Sequence, residues 1–116
     1  MAANVFAKNK VHKHIQANDT YYVDLGNLLN SGETVSSATV ASTDTGLTLG
    51  TPAVLGGDTT VTDYDGNSLT IEANTGISFT LSSGTVGCWL VTVVMTKSTG
   101  GIDAVDCELE IAGEAA

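Results

Sequence analysis

A chain of 116 residues has room for one domain built on one core. Abundant Thr, Ser, Val and Gly, a lone proline at Pro52 and the lack of a long apolar stripe at helical spacing favour short strands joined by turns. Charge is divided along the chain: residues 1–18 carry Lys8, Lys10 and Lys13 without an acid (+3), and the remainder sets all 13 acids against Lys97 (−12), so an acidic body repels nucleic-acid phosphates and anionic membranes and neither is an expected partner.

No apolar run approaches the roughly 20 residues of a membrane span, and the N-terminus lacks the apolar core of a secretion signal. A soluble, unprocessed protein is expected. Residues 1–18 show neither turn signals nor dense alternation and read as an extended N-terminal arm. Its partner-binding candidates are Phe6, Lys8, Lys10, Val11, His12, Lys13, His14 and Ile15, which mix apolar anchors with positive charge. His12 and His14 have the spacing of two ligands on one side of a strand, yet no third ligand lies near in sequence, so no metal is assigned.

The domain proper is placed at residues 19–112, with a short tail at 113–116. Tyr21, Val23 and Leu25 alternate with Tyr22 and Asp24 in a first strand, and Leu28 and Leu29 follow in a turn that reverses at Asn30-Ser31-Gly32. Residues 34–42 make a second strand with Ala38 and Val40 inward. A short strand spans residues 46–50 between two glycines, and Pro52, which cannot donate to a ladder, puts this segment at a sheet edge. Residues 59–63 and 68–73 flank Asp65-Gly66-Asn67, a hairpin signal that sets Val61 opposite Ile71 across a three-residue loop. Asp63, Asp65 and Asn67 mimic the start of a calcium loop, but the glycine falls at its fourth place and Asn74 stands where the bidentate glutamate belongs, so the stretch is read as a plain turn. Ile77, Phe79 and Leu81 mark the next strand.

The last hairpin dominates the chain. Trp89, Val91, Val93 and Met95 recur every second residue, as do Val105, Cys107, Leu109 and Ile111 beyond Ser98-Thr99-Gly100-Gly101. Both sets face one core only if the loop is odd, because a slip of one residue turns every side chain over. A three-residue loop at Thr99, Gly100 and Gly101 sets Met95 against Val105, Val93 against Cys107 and Val91 against Leu109. Cys107 then points inward and Cys88 outward, and two free thiols are expected rather than a bridge. The uncharged, proline-free WLVTVVM run is a hazard at an edge and belongs in a central strand.

About seven short strands with turns at ten-residue intervals predict an all-β, immunoglobulin-like Greek-key β-sandwich, ahead of a jelly roll or a closed barrel. Catalysis is not expected. Histidine occurs only in the arm, arginine nowhere, and the alternating Asp106, Glu108 and Glu110 have the pattern of a solvated strand face. No cofactor is assigned.

Residues 21–40 (YYVDLGNLLNSGETVSSATV), 46–50 (GLTLG) and 83–111, with SGTVG leading into WLVTVVMTKSTGGIDAVDCELEI, resemble small immunoglobulin-like virion proteins of tailed bacteriophages. The resemblance rests on Asp24, Leu25, Leu29, Gly32, Glu33, Thr34, Ser36, Ser37, Gly46, Leu47, Thr48, Gly84, Thr85, Gly87, Trp89, Thr96, Ser98, Gly100 and Asp103. Fibre-to-tail adaptors of this kind tend to carry a tryptophan after the first Asp and an arginine-rich segment after the last turn, where this chain has Leu25 and Ile102-Asp103-Ala104-Val105. The resemblance implies a non-enzymatic structural component, homo-oligomeric on the particle and assembled in the bacterial cytoplasm. It would be a capsid decoration (cement) protein bound to the major capsid protein through its arm, or a tail adaptor. A third reading, a carbohydrate-binding module on the host-facing surface, needs exposed aromatics, for which Tyr21, Tyr22 and Tyr64 are the candidates.

Overall fold

The computed structural model describes residues 10–14, 18–62 and 67–113, with the backbone path alone for residues 10–14. Among the described residues ten strands run in chain order: β1 (Lys10–His14), β2 (Asp19–Asp24), β3 (Val35–Ser42), β4 (Leu47–Leu49), β5 (Ala53–Val54), β6 (Thr59–Thr62), β7 (Ser68–Ile71), β8 (Gly76–Ser83), β9 (Gly87–Lys97) and β10 (Ile102–Ala112). A 3-10 turn, Gly26–Leu28, lies between β2 and β3.

The strands make a sandwich. One sheet has the order β1-β10-β9-β3, the other β2-β8-β4 with β5 also paired to β8, and β6 and β7 form a separate hairpin. Alternation explains the core between the sheets: Tyr21, Val23, Ile77, Phe79 and Leu81 from one layer meet Val91, Val93, Met95, Cys107, Leu109 and Ile111 from the other, and all are buried. A fully buried side chain of this class contributes roughly 1.5–3 kcal/mol, against about 0–1 kcal/mol for an ion pair at the surface, so packing of the two inner faces carries the fold.

The WLVTVVM run lies in β9 between β10 and β3, the central place its composition demands. β4 is an edge strand, as Pro52 behind it requires. In the last hairpin the loop is odd but one step earlier than expected: Ser98, Thr99 and Gly100 form it, closed by Lys97 N–H donating to Gly101 O at 2.7 Å, with Gly100 at φ 94°. The register therefore sets Met95 against Asp103, Val93 against Val105 and Val91 against Cys107. A displacement of two residues keeps every side chain on its face, so the core assignment is unchanged. The β6–β7 hairpin repeats the pattern, pairing Val61 with Leu69 and Thr59 with Ile71 instead of Val61 with Ile71. Val61 and Ile71 still share a small satellite core with Tyr22, Leu55 and Leu69. The turn between them, including Asp63 and Asp65, lies outside the described residues.

Among the described residues the eight segments read as strands, counted above as about seven, are joined by β1 and β5, which were not anticipated. Within the segment read as an arm, Lys10–His14 pairs in parallel with β10, in the register Lys10 with Glu108, Val11 with Leu109 and His12 with Glu110. Nothing local signals this, since the partner strand stands at the other end of the chain.

Candidate functional site

The motifs that carry the sequence resemblance meet in pairs, one pair at each end of the sandwich. At the first end, the turn after β2 is stitched to the β9–β10 loop. Glu33 Oε1 accepts the Asn30 N–H at 2.7 Å, while its Oε2 accepts the Thr99 hydroxyl at 2.6 Å. Thr34 N–H donates to Ser98 Oγ at 3.0 Å, and Ser98 N–H returns a bond to Thr34 O at 2.8 Å. Lys97 Nζ lies 3.8 Å from Glu33 Oε1 and 3.9 Å from Asp103 Oδ2. The Gly-Glu-Thr and Thr-x-Ser-x-Gly turns are thus two halves of one clasp.

The second clasp is buried. Asp44, 3 % exposed, accepts the Gly46 N–H at 2.9 Å through Oδ1 and the Thr85 N–H at 2.7 Å through Oδ2, and its own N–H donates to Ser42 Oγ at 3.0 Å. It ties the β3–β4 turn to the β8–β9 turn. In both clasps a carboxylate accepts from donors on a second turn, Glu33 from Thr99 and Asp44 from Thr85, and so holds two loops together.

The Thr99 hydroxyl, the Asn30 N–H and the Lys97 charge hold the Glu33 carboxyl below its ordinary range. A depressed native pKa stabilises the fold above the unfolded value, and that stabilisation is lost as pH falls through the native one. Glu33→Gln is therefore expected to narrow the stability difference between neutral pH and about pH 3, where an unfolded glutamate is protonated. Denaturant midpoints measured across that range check it, and an unchanged acid slope would remove the clasp's electrostatic role.

The arm candidates are only partly described. Lys10, Val11, His12, Lys13 and His14 lie in β1, while Phe6, Lys8 and Ile15 lie outside the described residues, as do all the β1 side chains. The two-histidine metal arrangement therefore falls outside them too. Among the described residues no group of three or more His, Cys, Asp or Glu is placed to hold a metal ion, and no helix is long and apolar enough to cross a membrane.

What the alternation did not advertise is the outward face of β9 and β10. Leu90 and Val94 are 40 % and 38 % exposed there, and Ile102 reaches 71 %. Cross-strand pairing sets Leu90 opposite Glu108, Thr92 opposite Asp106 and Val94 opposite Ala104, and the Thr92 hydroxyl donates to Asp106 Oδ1 at 2.6 Å. A shallow depression beside this strip is lined by Thr43, Cys88, Trp89, Leu90 and Glu108. WLVTVVM is apolar at the in-between positions 90 and 94 as well, so its composition does not say which of its faces is covered.

The thiols fall as expected: Cys107 is buried, Cys88 exposed, both free. Burial, with the nearby Asp106 charge adding to it, pushes the Cys107 thiol up to about 11, so it is chemically quiet at neutral pH. Tyr21 corrects one expectation. It is 2 % exposed, because it occupies an inward position of β2 opposite Phe79, and burial together with the Asp19 charge drives its phenol up to about 12. Tyr22 is half-buried against the satellite core, and Tyr64 lies outside the described residues. Neither Tyr21 nor Tyr22 offers the open stacking platform a sugar needs.

Neither a protein-family model nor a curated protein matches this sequence.

Proposed function

We propose that the chain is a non-enzymatic structural component of a tailed-phage virion. In this reading it is a capsid decoration protein, an immunoglobulin-type Greek key, that seats on the major capsid protein lattice and stabilises the head. The observation that carries this is the outward face of β9 and β10. There Leu90 and Val94 stand exposed on β9, which with β10 is the longest strand among the described residues, beside the acidic row of Asp106 and Glu108. An apolar strip with a charged border on a strand paired on both sides is suited to protein contact. The N-terminal segment adds its positive charge along the same sheet through β1. Both clasps support the reading as well, since they lock the loops at the two ends, where a sandwich of this kind ordinarily carries its variable sites.

The test uses mature capsids that lack the protein. The recombinant chain is expected to bind them at many copies per particle and to raise their disruption temperature. A Leu90→Ser, Val94→Ser double variant is expected to remain folded and to lose at least about tenfold in affinity, the loss of roughly 1.4 kcal/mol of contact. Binding to isolated tails at low copy number would reassign the chain as an adaptor, and binding to neither would remove the virion reading.

A further inference from the structure

β10 is eleven residues long, yet β1 covers its outer edge only at residues 108–112. Residues 102–107 have no strand neighbour on that side among the described residues. The Lys97–Gly101 hydrogen bond fixes the alternation of the ladder, and from it the amides of Ile102, Ala104 and Asp106 turn away from β9 toward this open edge. One of them, Ala104 N–H, is held by the carboxylate of Asp103 beside it at 2.9 Å. An open edge of six residues next to a strongly apolar strand is a surface that folded proteins ordinarily cover.

We propose that this edge is a strand-docking site and that its occupant is residues 4–9 of the same chain, added in parallel as a continuation of β1. Three observations lead there. Nine residues precede β1, and six are needed. The existing pairing fixes the register, so that continuing it sets Lys8 at Asp106, just as Lys10 stands at Glu108 and His12 at Glu110. Basic residues at three alternate positions thereby meet acidic residues at three alternate positions, the cross-strand arrangement that favours opposite charges. Shifting the segment by one residue would set Lys8 at Val105 or Cys107 and break the match. The same register puts Phe6 at Ala104, where the small side chain leaves room for an aromatic one. The completed edge gives β10 a neighbour on both sides along its length. It holds irrespective of whether the chain resides on a virion, because it depends only on pairing within one molecule.

Amide hydrogen exchange on the full chain and on a variant lacking residues 2–9 tests this. The Ala104 and Asp106 amides are expected to exchange at least about tenfold faster in the shortened chain, while amides of β8 keep their rates. Lys8→Glu should raise the exchange of both amides, and Lys8→Glu combined with Asp106→Lys should restore protection. Equal exchange in the full and shortened chains would overturn the proposal. Protection that disappears on dilution, together with a dimer in light scattering, would also overturn it by assigning the edge to a second copy.

Discussion

Asp44→Ala is expected to be among the most destabilising single changes in the molecule, lowering the unfolding free energy by about 3 kcal/mol. The side chain is buried, and both its oxygens accept backbone N–H groups, those of Gly46 and Thr85, which lie on turns from opposite halves of the chain. Alanine leaves both donors without the acceptor around which the two turns are shaped. A charge-assisted bond of this type contributes roughly 1.5–3 kcal/mol, and some of the loss is recovered by water at the exposed Thr85. Asp44→Asn keeps one acceptor oxygen and should cost about half as much. For a domain of this size 1 kcal/mol moves the melting temperature by about 4 °C, so Asp44→Ala should melt more than about 10 °C lower. Equilibrium denaturation with an unchanged denaturant slope would attribute the loss to the native clasp. A shift of under about 1 kcal/mol would mean that the two turns hold their shape without it.

Asp44 also marks the boundary of what the sequence discloses. The faces of the strands were legible from the period of two, because one side of each strand has to be dry; Val91, Val93, Met95, Cys107, Leu109 and Ile111 are all buried as their spacing requires. Register was not legible to better than two residues. The alternatives for the last hairpin bury the same side chains, and only the turn decides between them, through the hydrogen bond that Lys97 makes to Gly101. Partnerships between distant loops were not legible at all. Glu33 reads as a surface acid in a turn until Thr99 and Lys97 are brought to it from 64 or more residues away. The same holds for β1, whose partner is fixed by backbone pairing across nearly the whole chain, so that the alternation of Lys10, His12 and His14 does not by itself point to β10.

The candidate face follows a similar division. Asp106, Glu108 and Glu110 were legible as an outward row from their alternation with Cys107, Leu109 and Ile111. Leu90 and Val94 were not, because an apolar residue between apolar residues carries no face label. Their exposure depends on β9 having a covered inner face and an outer face with no second layer above it among the described residues. A strand buried on both faces would have the same composition. The exposed pair is therefore a property of the layer architecture.

Gly84→Ala is expected to cost about 2–4 kcal/mol, and its comparison with Gly100→Ala separates two causes that glycine positions usually confound. Both glycines have a positive φ, 115° at Gly84 and 94° at Gly100, so both alanine variants incur backbone strain of about 1 kcal/mol. Around Gly100 nothing lies within 4 Å of where the Cβ would stand. At Gly84 that atom would sit 2.6 Å from Ile111 Cδ1, and Ile111 is 1 % exposed in the core. Asp44 Oδ2 is a further 3.4 Å neighbour, so any shift of the turn that relieves the clash pulls on the buried clasp. Ile111 has little room to give, since its methyl would have to move into side chains already packed at close contact. The expected result is a Gly100→Ala variant within about 1 kcal/mol of the parent and a Gly84→Ala variant at least about twice as damaged. Ile111→Val, which removes the clashing methyl at a cost of roughly 0.5–1.5 kcal/mol by itself, should recover part of the Gly84→Ala loss when the two are combined. Strict additivity of the pair would place the damage in backbone strain instead and leave the Ile111 contact without consequence.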